Sequence, residues 1–156
     1  KEEGYRVDVT VMAAGGEFSK LGILERYEGQ KADVGYGWWT SPATHGKTYD
    51  GIPETAKLVE LKCRIDSFSV YNRSGGILYA NTSRDGVYTK PPHNADARAA
   101  IMKERNRPLT PEEQSTLLEG RRRMLENMKR RGAAPEEITR ALAILGKTPR
   151  LRQEFL

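Results

Sequence analysis

The fifteen residues Lys57-Leu58-Val59-Glu60-Leu61-Lys62-Cys63-Arg64-Ile65-Asp66-Ser67-Phe68-Ser69-Val70-Tyr71 decide how the chain is read. Val59, Leu61, Cys63 and Ile65 fall on one side of an extended backbone, and Glu60, Lys62, Arg64 and Asp66 on the other. Successive side chains of a pleated strand point to opposite faces, so this two-residue alternation predicts a half-buried strand. Asn72-Arg73-Ser74-Gly75-Gly76 follows as a turn, then a short strand over 77–80. A second turn at Arg84-Asp85-Gly86 leads to a last strand over 87–89.

Working upstream, Tyr5, Val7, Val9 and Val11 alternate with Arg6, Asp8 and Thr10, which predicts a strand ended by Ala13-Ala14-Gly15-Gly16. Residues 21–27 read more weakly as another strand, with Leu21, Ile23 and Tyr27 on one side. Residues 28–55 show neither period. They hold Gly29, Gly35, Gly37, Gly46 and Gly51 among Tyr36, Trp38, Trp39, His45 and Tyr49. A long irregular segment in a compact domain is functional or docked on a partner. The aromatics Tyr36, Trp38, Trp39 and Tyr49 are its candidate docking residues; closing one end of a small barrel is their structural reading.

Downstream, Pro91-Pro92 marks a boundary and the period becomes helical. Asn94 caps a helix over 95–106, which Pro108 stops. Thr110-Pro111-Glu112-Glu113 is a capping box with proline at the first helical position, opening a helix to about residue 131 that Gly132 terminates. Ala134-Pro135-Glu136-Glu137 repeats that start, and Gly146 ends a third helix. The expected fold class is therefore α+β. A β-rich docking domain over 1–90 carries a small, mainly antiparallel sheet or barrel of about five strands and the loop 28–55. A basic helical extension over 91–156 holds three helices and a short basic tail.

Charge separates along the same line. Residues 1–90 balance 12 Lys/Arg against 12 Asp/Glu, whereas 91–156 carry 14 against 9, so the net charge of +5 lies in the second part. Arg121, Arg122, Arg123, Lys129, Arg130 and Arg131 crowd into eleven positions with Glu126, and Lys147, Arg150 and Arg152 follow. Clustered bases of one sign raise the local potential for an acidic partner, and arginine forks suit phosphate. A solvated face braced by Glu126 ion pairs is the plainer reading of the same residues. Arg121 projects onto the apolar stripe of Leu117, Leu118, Met124, Leu125 and Met128. Either its stem lies on the core with its head in water, or its guanidinium is paired at an interface.

Several chemistries are excluded. Gly46-Lys47-Thr48 and Gly146-Lys147-Thr148 each lack the glycine five positions earlier that a phosphate loop needs; Ser41 and Ala141 stand there. Cys63 alternates with apolar neighbours and reads as a small buried hydrophobe, and one cysteine allows no internal disulfide. His45 and His93 have no ligand-spaced companions. Asp50, Glu54, Asp66 and Asp85 form no acid–base pair. No apolar run approaches the roughly 18 residues of a membrane span. The chain opens on Lys1 and not on Met, as expected of a processed or truncated product and equally of a removed tag or a disordered start.

The expected function is a non-catalytic structural subunit of a large ribonucleoprotein, of mitochondrial ribosome type and so in the mitochondrial matrix. Its basic helix would contact RNA phosphates and its body neighbouring proteins, with no cofactor, metal or small-molecule substrate. Alternatives are an accessory subunit of a multi-protein complex, membrane-bound or other, without nucleic acid, and a helix–turn–helix DNA-binding protein. The last needs a recognition helix in the nine residues from Thr148, which are too few.

Overall fold

The computed structural model describes residues 4–84, 87–89 and 96–146. The elements in chain order are β1 (Asp8–Ala13), α1 (Gly16–Val34), α2 (Pro42–Lys62), β2 (Ser67–Asn72), β3 (Ile77–Arg84), β4 (Val87–Tyr88), α3 (Asp96–Asn106), α4 (Pro111–Arg130) and α5 (Pro135–Leu145). Strand order is β1-β2-β3-β4. β1 runs parallel to β2, with Asp8 opposite Ser67 and Ala13 opposite Asn72, while β2 and β3 are antiparallel. Two-residue β4 pairs with the end of β3.

This corrects the expected five-strand antiparallel sheet or barrel followed by three helices. The sheet is mixed and short, and two long helices lie between its first two strands. Parallel neighbours cannot be joined by a tight turn; they need a crossover, here α1 and α2. Residues 21–27, expected as a strand, lie inside α1, and most of the expected loop 28–55 is helical.

The fifteen-residue segment itself divides: its first part ends α2 and its last part is most of β2. Glu60 is 1% exposed and Leu61 46% exposed, the reverse of the strand reading. The buried positions of α2 are Pro53, Ala56 and Glu60, spaced as one helical face. Cys63 is exposed, not buried, because it lies just beyond the helix end, where its N–H donates to the Val59 carbonyl.

The chain forms two compact units, Lys1–Gly15 with Lys47–Arg107, and Gly16–Gly46 with Pro108–Leu156. The expected boundary at Pro91-Pro92 lies outside the described residues. In the first unit, Ala13, Ala56, Ile65, Phe68, Val70, Ala97 and Ile101 make the core, flanked by Val9, Val11, Ile52, Val59 and Tyr79. In the second, Phe18, Leu21 and Leu24 of α1 pack with Leu117, Met124, Leu125 and Met128 of α4 and with Ile138, Ala141, Leu142 and Leu145 of α5.

Turn and cap chemistry falls where the residues ask for it. Thr110 Oγ1 accepts from the Glu113 N–H while the Glu113 carboxylate accepts from the Thr110 N–H, a reciprocal box opening α4. Past α4, Gly132 adopts φ 73° and the Ala133 N–H reaches back to the Met128 carbonyl, closing the helix. α5 has proline in its first turn, but its N-cap is Ala134, which has no side chain to bond. The turn after β2 is held by Asn72, whose Oδ1 accepts from the Gly76 N–H at 2.6 Å, with Gly75 at φ 84°.

Candidate functional site

The basic residues of α4 separate into three environments. Arg121 is buried, 6% exposed, among the apolar residues of the helix, with Nη2 3.5 Å from Glu17 Oε1. Its Nε and Nη2 have no hydrogen-bond partner among the described residues. Arg122 pairs along its own helix with Glu126 at 3.2 Å, and Lys129 is exposed. Arg123, Arg130 and Arg131 border a cleft of about 700 Å³ between α4 and α1. Lys147, Arg150 and Arg152 lie outside the described residues.

Helical spacing builds that cleft. Arg123, Asn127 and Arg130 follow one another by four and three residues on α4, so they share a stripe. Glu25, Glu28, Gly29 and Ala32 do the same on α1, and Lys31 and Met124 complete the lining. Arg123 reaches Glu25 at 3.2 Å. Arg131 holds Glu28 with two bonds, Nε at 2.8 Å and Nη2 at 2.7 Å, and its Nη2 also meets Glu137 Oε1 at 2.5 Å. Close contact is possible because Gly120 sits where a Cβ would stand 2.7 Å from Leu21 Cδ2.

Glu137, in the first turn of α5, gathers the polar contacts. Its Oε1 accepts from Tyr27 Oη at 2.6 Å and Lys31 Nζ at 3.1 Å as well as from Arg131. Burial pushes this carboxyl up, but those donors more than reverse the effect and bring it down to about 2. The bonds to Glu28 and Glu137 raise the Arg131 guanidinium above its ordinary value against the opposing effect of burial. Contacts of Lys31 with Tyr27 and Glu137 likewise raise its ammonium.

The four aromatics expected as a docking set have different surroundings, three of them in the second unit and Tyr49 in the first. Tyr36 and Trp38 are exposed, 67% and 76%. Trp39 packs on the second unit's core, edge-on to Tyr27 at 5.0 Å, with the Arg140 guanidinium 5.3 Å from its ring. Tyr49 belongs to the first unit. Its hydroxyl donates to the Ala14 carbonyl at 2.9 Å, its carbonyl accepts from Arg105 Nη1 at 2.7 Å, and the Arg105 guanidinium stacks 3.7 Å over its ring. That corner adjoins the carboxyl end of β1. Burial lowers Arg105 and raises Tyr49 from their ordinary values.

The first Gly-Lys-Thr is part of α2. The His45 N–H already donates to the Ser41 carbonyl at 2.9 Å, so the intrahelical ladder begins ahead of Gly46. Backbone donors committed to a helix cannot cradle a phosphate. In the second copy, Gly146 follows α5, and Lys147 and Thr148 lie outside the described residues. Among the described residues no group of three His, Cys, Asp or Glu could hold a metal ion, and no helix is long and apolar enough to cross a membrane.

Sequence reasoning passed over α1 and α2. Phe18, Leu21, Leu24 and Tyr27 are spaced by three, a helical signal masked by Gly22 and Gly29 within α1. Ser41 before Pro42 was the second sign, and Ser41 Oγ does accept from the Thr44 N–H at 3.1 Å.

β1 and β2, parallel and joined through helices, give the first unit an α/β core in place of the expected meander. Comparison with known families agrees with such a core: the zeta toxin family model matches residues 1–84, which span β1 to β3. This covers more than half of the chain, and the chain belongs to the zeta toxin family. No curated protein matches it. Zeta toxins are P-loop kinase-like enzymes. Membership overturns the expectation of a non-enzymatic ribosomal, RNA-contacting subunit. Four members of the arginine cluster answer carboxylates of their own chain: Arg121 near Glu17, Arg122 on Glu126, Arg123 on Glu25 and Arg131 on Glu28 and Glu137.

Proposed function

We propose that the protein is a kinase-like toxin that transfers a phosphoryl group from a nucleoside triphosphate to an acceptor. The match of residues 1–84 to the zeta toxin family carries this reading. The parallel β1–β2 pair supports it, since open α/β sheets bind ligands beyond the carboxyl ends of their parallel strands. At that end of β1 stands the Ala14–Tyr49–Arg105 corner. A partly buried guanidinium there supplies fixed positive charge, the quantity a phosphoryl transition state needs. Arg105 Nε has no hydrogen-bond partner among the described residues and so has donor capacity to spare.

The test is incubation of the full-length protein with γ-labelled ATP, magnesium and a small-molecule extract, followed by separation of labelled products. Label in a new acid-soluble compound, reduced by Arg105→Met, is the expected result. Failure both to bind ATP and to transfer label overturns the reading. The position of Gly46-Lys47-Thr48 inside α2 favours a second one, in which the chain engages an acceptor without binding nucleotide itself. Growth arrest on expression that persists without nucleotide binding supports this alternative.

A further inference from the structure

The α1–α4 cleft has no part in the phosphoryl-transfer reading, and its chemistry points elsewhere. Its lining carries four cations, Lys31, Arg123, Arg130 and Arg131, against two carboxylates, Glu25 and Glu28. Both carboxylates are already engaged, Glu25 by Arg123 and Glu28 by Arg131. Lys31 and Arg131 share the adjacent Glu137. Arg130 enters none of the ion pairs found among the described residues, yet it borders the same space. The Arg123 side chain is 66% exposed, so its single contact to Glu25 leaves most of its fork open to solvent.

We infer that this cleft binds a small molecule bearing a phosphate group, with Arg130 and Arg123 as its direct ligands and Asn127 between them. Phosphate fits better than a neutral ligand because the lining keeps surplus positive charge after its internal pairs are counted. It fits better than a monocarboxylate because two guanidinium forks two helical turns apart can reach in from both sides to share the oxygens of a dianion. Gly29, Ala32 and Met124 offer an apolar floor for the rest of the molecule. The volume lies within the range of small-ligand sites. Arg131 acts differently: locked to Glu28 and Glu137, it positions the end of α4 and is not spent on the ligand.

The experiment is an amide-resolved NMR titration of the full chain at low salt with pyrophosphate, and separately with inorganic phosphate and sulfate. The expected result is saturable shifts centred on Gly29, Ala32 and Asn127, tighter for pyrophosphate than for sulfate. Arg130→Gln should weaken binding about tenfold, the loss expected for a charge-assisted bond. Arg122→Gln, on a residue paired with Glu126 outside the cleft, should leave it unchanged. Shifts that do not saturate, that scatter over every arginine, or that persist unweakened in Arg130→Gln overturn the inference. A spectrum of Arg130→Gln matching the parent without ligand excludes unfolding as the cause of any loss.

Discussion

The Glu60 carboxylate accepts the backbone N–H of Ala97 at 3.1 Å, across 37 residues of sequence, and thereby caps the first turn of α3 from α2. The N-terminal N–H groups of a helix have no partner within it, and a buried anion aligned with them is favoured by the helix dipole. Tyr79 donates its hydroxyl to the other carboxylate oxygen, and Asn81 Nδ2 donates to that hydroxyl at 3.1 Å. A charge that would be costly to bury alone is thus bonded on both oxygens.

Removing this acceptor should be felt throughout the first unit. Glu60→Leu leaves the Ala97 N–H and the proton of the Tyr79 hydroxyl without their acceptor, at a cost of about 2–4 kcal/mol. Urea unfolding followed by circular dichroism measures the loss, and Tyr79→Phe should cost less, about 1 kcal/mol. Burial, and then the bond to Glu60, raise the Tyr79 phenol well above its ordinary value. In a spectrophotometric alkaline titration Tyr79 should therefore ionise late. That late step should vanish in Tyr79→Phe.

Glu137 makes the second unit sensitive to acid. Its folded-state value, about 2, lies below that of an unfolded glutamate. Its contribution is therefore complete above roughly pH 4.5 and is lost as pH falls toward 2. The melting temperature of the parent should drop across this window. In Glu137→Gln it should start lower at pH 7 and fall less, since the difference between the two proteins shrinks as the carboxyl takes up its proton.

Two glycines should respond unequally to alanine. A Cβ on Gly37 would stand 2.6 Å from the Tyr27 carbonyl oxygen and 2.8 Å from its ring, so backbone must move. On Gly120 its one tight contact would be with the end of the Leu21 side chain, at 2.7 Å, which can swing. Gly37→Ala should cost about 2–3 kcal/mol and alter the emission of Trp39, which packs on Tyr27; Gly120→Ala should cost about half as much. Thermal melts and tryptophan fluorescence compare them.

Arg121 should be dispensable for stability. Its guanidinium is buried, Nε and Nη2 make no hydrogen bond among the described residues, and Glu17, which Nη2 faces at 3.5 Å, is 57% exposed. Arg121→Met keeps the stem packing and removes the desolvated charge, so stability should hold or rise by about 1 kcal/mol. Equilibrium denaturation at neutral pH decides the sign.

The C-terminal helices were legible because their signals are local. The Thr110–Glu113 box, Gly132 and Gly146 act within a few residues of where they stand. The stretch between β1 and β2 was not, because short-range pattern and long-range packing disagree there. Residues 57–66 alternate like a strand, yet α2 runs to Lys62, since burying Ala56 and Glu60 on one face meets needs set by Ala97 and Tyr79 far along the chain. Gly46, Gly51 and Pro53 weaken the intrinsic preference of α2 for helix, and tertiary contacts override them. In the candidate cleft, the arginines could be picked out from the sequence. Their partners could not, because Glu25 and Glu28 lay in a stretch read as strand and loop.

Both units are discontinuous in sequence, and this bears on how the chain matures during synthesis. β1 emerges from the ribosome long before β2, its parallel neighbour, and Tyr27 must wait 110 residues for Glu137. The apolar stripe of α1 stays uncovered until α4 and α5 have been translated. Non-local closure of this kind slows folding and exposes sticky surface meanwhile. A nascent chain stalled before α4 should therefore recruit holdase chaperones and be readily degraded, and only resumed synthesis of α4 and α5 would allow the second unit to close.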